Sequence, residues 1–194
     1  ENARDSTSVY KRSNDITSLL EKLGVIDKSS EVLDIGCGVG RAAYTLAKKV
    51  KAYTGIDIAP SMIKLAVQNV KTKNIQFLVT NGKDLKVFEN EKFNLVLSIL
   101  VFQHLPQIIF NNYLRESYRV LQKHGKIVFQ ISIYWEDKLT KPTENHPWAL
   151  RFYSIPHLER LLQRAGFNRV KLFNPAGGIF RKNDNQVIFL AEKI

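Results

Sequence analysis

Residues Glu31 to Arg41 read E-V-L-D-I-G-C-G-V-G-R. Val32, Leu33 and Ile35 make a short apolar run of the kind that forms a strand buried on both faces. Gly36, Gly38 and Gly40 follow at alternate positions, and Ala42, Ala43, Leu46, Ala47 and Val50 then recur at helical spacing. Strand, glycine turn and helix make the first βα unit of a nucleotide-binding α/β sheet. The glycines let the turn enter positive φ and bring bare backbone against a ligand. The opening helix adds free N–H groups. A tight turn without a ligand is the plainer reading of the same residues, because glycine triplets are weak signals alone.

Working outward, the glycine spacing differs from the dinucleotide fingerprint G-x-G-x-x-G, since the third glycine comes one residue early. Asp34 lies two positions before the first glycine, and Tyr53 to Ile58, Y-T-G-I-D-I, reads as the next strand with Asp57 at its end. D-x-G-x-G-x-G followed by this acid resembles motif I of the class I S-adenosylmethionine-dependent methyltransferases. The resemblance covers about residues 30–193. It implies a Rossmann-like α/β fold: a doubly wound, seven-stranded, mostly parallel sheet with an antiparallel C-terminal strand.

The resemblance also implies a cofactor, S-adenosyl-L-methionine, and places residues around it. Asp34, Gly36, Cys37, Gly38 and Gly40 supply the turn. Asp57 grips the ribose hydroxyls, with Ile58 beside it. Met62 lies either beside the adenine or in the core. Asn81 stands where the family usually has an acid for the adenine amino group, and Gly82 follows; an amide oxygen can still accept there. Asp84 is the alternative acceptor, or simply caps a turn. Ser98, at the end of the fourth strand, is expected to face the methyl donor.

Composition bounds the reading. The chain has 194 residues, 44% of them hydrophobic, which suits one domain (1–194) with a sizeable core. No apolar run approaches a membrane span, so no membrane partner is expected. The polar start E-N-A-R-D-S-T-S has no signal-peptide character. The single cysteine, Cys37, suits a reducing cytoplasm and sits between motif glycines as a packing residue rather than a nucleophile. A formal charge of +11 invites a nucleic-acid partner. The cations are scattered over expected helices without interleaved aromatics, so a solvated basic surface is the better reading.

Along the chain, residues 1–29 form an N-terminal helical or lid segment. Its Ile16, Leu19, Leu20 and Leu23 share one helical face closed by Gly24, and Tyr10 could reach a substrate. A second helix opens at Pro60, with Ile63, Ala66, Val67 and Val70 as its buried face and Ala59 as a side-chain-less cap. Strands are expected at Ile75–Thr80, Phe93–Ser98 and Lys126–Ser132. Phe110, Leu114, Tyr118 and Leu121 mark a helix, with His124 at its C-terminus as a dipole contact. Residues 133–153 contain two tryptophans with little periodicity and read as a substrate lid. Ser154 then caps a helix with Leu158, Leu161, Leu162 and Ala165 on one face, before strands at Phe167–Phe173 and Gln186–Ala191.

Methyl transfer asks the protein mainly to orient reactants and exclude water, while a hydroxyl or charged amine acceptor must also lose a proton. Imidazole titrates near neutrality, which makes His104 the first candidate base and His146 the second. Gln103, Tyr134, Trp135, Arg151 and Tyr10 are the candidate substrate contacts. N/D-P-P-Y after the fourth strand, a C5-methylating cysteine and a cluster of metal-binding carboxylates are all lacking, so no metal is expected. The expected acceptor is the N or O atom of a small molecule. An RNA or protein acceptor, a cofactor-binding regulator without catalysis, and a nicotinamide enzyme are the rivals, and the oligomeric state is left open.

Overall fold

Val32, Leu33 and Ile35 form the buried core of β1 (Glu31–Ile35) in a computed structural model that describes residues 13–133, 151–181 and 184–194. Before β1 runs α1 (Ser13–Lys22), which buries Leu19 and Leu20 and ends in Gly24 at φ 63°. After it come α2 (Arg41–Leu46), β2 (Ala52–Asp57), α3 (Pro60–Asn69) and β3 (Ile75–Val79). The remainder comprises β4 (Phe93–Ile99), a 3₁₀ turn (Phe102–His104), α4 (Gln107–Val120), β5 (Leu121–Ser132), α5 (Ile155–Arg164), β6 (Asn168–Phe173) and β7 (Gln186–Glu192). The seven strands form a sheet of order β3-β2-β1-β4-β5-β7-β6, with β7 antiparallel to both of its neighbours. This is the expected doubly wound fold.

The chain divides into two compact units, the first ending at Gly82 and the second starting at Lys83. In the first, β2 pairs in parallel with β1 and β3, so Gly55 lies opposite Asp34 on one side and Phe77 on the other. Helix α2 is shorter than the apolar spacing suggests, because Lys49 donates to the Leu46 carbonyl at 2.8 Å and tightens the chain into a 3₁₀-like turn. On α3 only Ile63 and Ala66 are buried, with Val70 buried just past its end. Val67 is 54% exposed, which corrects the wider face drawn from the sequence. A methyl on Gly40 would sit 3.3 Å from Ala66 Cβ and 3.2 Å from Val70 Cγ2. That close approach narrows the buried stripe.

In the second unit, Phe102, Phe110, Phe129, Tyr153 and Phe189 form an aromatic core, with Phe129 stacked on Phe189 at 5.1 Å. Their contacts hold the 3₁₀ turn in place and supply about 0.5–1.5 kcal/mol per well-oriented pair beyond burial. Two local expectations are corrected here. His124 belongs to β5, adopts φ 64°, and sets Nδ1 3.2 Å from Glu192 Oε1, so it pairs across the sheet instead of ending a helix. Ser154 precedes α5 without a side-chain cap bond.

Candidate functional site

The glycine turn is built by main-chain bonds to β2. Gly36 and Cys37 both donate to the Ile56 carbonyl, at 2.8 and 3.0 Å, and Gly40 donates to the Cys37 carbonyl at 3.0 Å. All three motif glycines take positive φ, and at Gly38, with φ 54°, an added Cβ would meet nothing within 4 Å. Gly38 therefore faces open space, whereas Gly40 is needed for packing.

Asp57 ties this turn to the next helix. Its Oδ2 accepts from the Gly38 N–H at 3.0 Å and its Oδ1 from the Ala59 N–H at 2.9 Å. The carboxylate thus fixes the entry to α3 through the Ala59 main chain, while the cap bond that an alanine cannot make stays unmade. A carboxylate has about four acceptor positions, so both oxygens keep capacity for further donors. Beside it, Ile58 is 65% and Met62 40% exposed, an apolar pair next to a charge. Met62 is therefore not core. A Cβ on Gly82, at φ 68°, would fall 2.8 Å from Ile58 Cδ1, so the glycine gives the isoleucine its room. Asn81 is exposed just past β3, while Asp84 accepts from the Lys86 N–H at 3.2 Å in a local turn.

Asp34 is buried, and the Tyr53 hydroxyl donates to it. Burial, opposed by this bond and reinforced by the Asp57 charge, pushes its carboxyl up to about 7. The Cys37 thiol is likewise pushed well above its ordinary range by burial, then by Asp34 and Asp57, and stays protonated. Because Asp34 ionises more readily in the unfolded chain, its contribution to stability is full below about pH 4 and falls as pH rises towards 7. Asp34→Asn should remove this slope and gain on the order of a few kcal/mol over the parent between pH 5 and 8 in urea unfolding. Parallel stability curves would refute the assignment.

In the second unit, Leu100 takes φ 60° where β4 ends, a conformation that costs a β-carbon-bearing residue roughly 1–2 kcal/mol. The 3₁₀ turn follows. Gln103 is buried, and its Oε1 accepts from the Ser132 N–H at 2.9 Å, tying this turn to the end of β5. His104 is exposed. Arg151 binds the same turn twice, through its N–H to the Gln103 carbonyl at 2.8 Å and its Nη1 to the His104 carbonyl at 3.0 Å. Ser98 is 0% exposed, which corrects the expectation that its side chain faces a ligand: β4 is covered on both faces from Leu95 to Ser98. Tyr10, Tyr134, Trp135 and His146 lie outside the described residues.

Sequence reasoning passed over Gly55, Tyr53 and Leu100. A glycine inside a buried strand signals a close approach, and a methyl on Gly55 would sit 2.8 Å from Phe77 Cδ1 and 2.9 Å from Cys37 Sγ. Tyr53 carried no signal except its register one strand from Asp34. Leu100 carried none.

Compared with known proteins, residues 33–129 match the family model described as a methyltransferase domain, half of the chain. The chain belongs to the class I S-adenosylmethionine-dependent methyltransferases. Over 129 residues it is 33% identical to the demethylmenaquinone methyltransferase of Tropheryma whipplei, covering 61% of this chain and 52% of that protein. Over 154 residues it is 29% identical to the ajmaline N-methyltransferase of Rauvolfia serpentina, covering 76% and 48%. The chain thus spans about half the length of these curated relatives. The Haemonchus contortus phosphoethanolamine N-methyltransferase 2, solved with S-adenosyl-L-methionine, shares the fold at TM-score 0.73 and 18% identity, covering 93% of this chain and 52% of that one. The residues present fit the family's cofactor: Gly38 leaves its backbone open, Asp57 keeps spare acceptors for hydroxyl donors, and Ile58 and Met62 offer an exposed apolar surface. Among the described residues no helix is long and apolar enough to cross a membrane.

Proposed function

We propose that this chain transfers a methyl group from S-adenosyl-L-methionine to an N or O atom of a small-molecule acceptor. The observation carrying this reading is the Asp57 carboxylate, which anchors an open glycine turn while keeping acceptor capacity on both oxygens. The named acceptors of the relatives, demethylmenaquinone and ajmaline, support a small molecule. When bound, the cofactor supplies a methyl already activated by its sulfonium leaving group.

The chain's own work is then binding, orientation and proton management. Asp57 accepts from the ribose hydroxyls in charge-assisted bonds, each about twice as strong as a neutral one. The turn Gly36–Gly40 offers backbone, with Asp34 and Cys37 holding it from inside. Ile58 and Met62 cover the base, whose polar edge meets Asn81 and Gly82. Gln103 and Arg151 fix the turn that carries His104, and His104 takes the acceptor's proton. His146 is the second candidate for that proton, with Tyr10, Tyr134 and Trp135 as acceptor contacts.

His104→Ala should lower kcat by roughly 10²-fold while the cofactor Kd stays within twofold. An unchanged kcat would dismiss His104 as the base. The activity itself is tested by transfer of a labelled methyl group to pooled phenols, quinols and amines, with RNA and protein fractions alongside. Label confined to RNA or protein would overturn the small-molecule reading.

A further inference from the structure

Strands β4 and β5 run parallel, with Ile99 opposite Gln130, so both end at one edge of the second unit. Ligands of open α/β sheets bind beyond such carboxyl ends. The 3₁₀ turn Phe102–His104 follows β4 there, and the buried Gln103 side chain ties it to Ser132 at the end of β5. Arg151 joins this edge from a distant segment. Its N–H donates to the Gln103 carbonyl at 2.8 Å. Two residues on, Tyr153 forms a parallel bridge with Ile133 and packs its ring 5.4 Å from that of Phe110. The guanidinium is thereby carried to the turn, where Nη1 donates to the His104 carbonyl at 3.0 Å.

That bond uses one of the five N–H groups of a guanidinium. Arg151 makes no ion pair among the described residues, and it is the only cation that their hydrogen bonds tie to this turn. A half-buried charge without a counter-charge, in a chain of net charge +11, is held at an electrostatic cost that an incoming anion relieves. A neutral amide could hold the same carbonyl, so the structural bond does not account for the charge. The planar fork suits a carboxylate, whose two oxygens meet two parallel N–H groups. One guanidinium also matches one negative charge, whereas the dianion of a phosphate monoester would be only half compensated. His104 is exposed on the same turn.

We infer that the methyl acceptor carries a carboxylate, which Arg151 seats in a forked ion pair while the acceptor's hydroxyl or amine meets His104. This substrate class deepens the small-molecule reading above and rests on it, with Arg151 as the residue that sets specificity. The probes are 4-hydroxyphenylacetate, 4-aminophenylacetate and the neutral amide of each, titrated by calorimetry into protein saturated with S-adenosylhomocysteine. Each carboxylate should bind at least about tenfold more tightly than its amide, by a margin that shrinks with salt. Arg151→Gln, which keeps an N–H donor for the His104 carbonyl, should erase that preference, and Arg151→Lys should restore part of it. A merely structural arginine would shift acid and amide alike. Equal affinity of acid and amide, no binding by either acid, or a preference that survives Arg151→Gln overturns the inference. Tighter binding of 4-hydroxyphenyl phosphate than of 4-hydroxyphenylacetate overturns the carboxylate assignment. Arginine-dependent binding of the acids without label transfer to either upholds the carboxylate seat and counts against the methyl-transfer reading instead.

Discussion

Asp57→Ala should raise the Kd for S-adenosylhomocysteine about 100-fold or more, the largest change expected from any single substitution in this chain. Two losses combine. The first is the ribose contact, where each hydrogen bond to a charged group contributes roughly 1.5–3 kcal/mol. The second is internal: the Gly38 and Ala59 N–H groups lose the carboxylate that accepts from them at 3.0 and 2.9 Å. Both donors lie where water can reach, since Asp57 is only half-buried. The stability cost should therefore stay near 1–2 kcal/mol, or roughly 2–8 °C in Tm. Asp57→Asn keeps one acceptor and should fall between the two. Calorimetry and thermal melts on the same preparations separate the effects, and an unaltered affinity in Asp57→Ala would remove the basis of the functional reading.

Gly38→Ala and Gly55→Ala should come apart in the opposite way. At Gly38 the new methyl meets nothing within 4 Å, so the fold bears only the left-handed backbone cost of about 1–2 kcal/mol. That methyl occupies the space where bare backbone is offered, and cofactor affinity should drop at least tenfold. At Gly55 the methyl would lie 2.8 Å from Phe77 Cδ1 and 2.9 Å from Cys37 Sγ. Overpacking of this kind costs about 1–3 kcal/mol, which lowers Tm by roughly 2–12 °C in a chain of this size. Stability falls first there, and binding follows only as far as Cys37 is displaced. If Gly38→Ala bound the cofactor normally, the open side of the turn would not be its seat.

Much of the fold was legible because each strand is a short apolar run closed by a turn signal. β1, β2 and β7 are buried almost end to end, and such runs announce themselves in one dimension. Legibility failed where a residue's environment comes from a distant neighbour. Val67 has the right spacing for the core, yet the tight seat of Ala66 near Gly40 turns it to solvent. His124 looked like a helix end until Glu192, 68 residues away, supplied its partner. Ser98 was placed correctly near the end of β4, but that strand is buried on both faces from Leu95 to Ser98, and the layers that cover it come from distant segments.

The amino-acid sequence by itself determined the order of strands and helices, the glycine turn between Asp34 and Arg41, and the acid that answers it at position 57. Local propensity and spacing suffice for these, because each is decided within a few residues. Only the tertiary structure decided that Gly38 is open while Gly55 is filled, and that Tyr53 meets Asp34. Those facts depend on which segments the sheet and its helices bring side by side, and contact across the chain leaves no periodic mark along it.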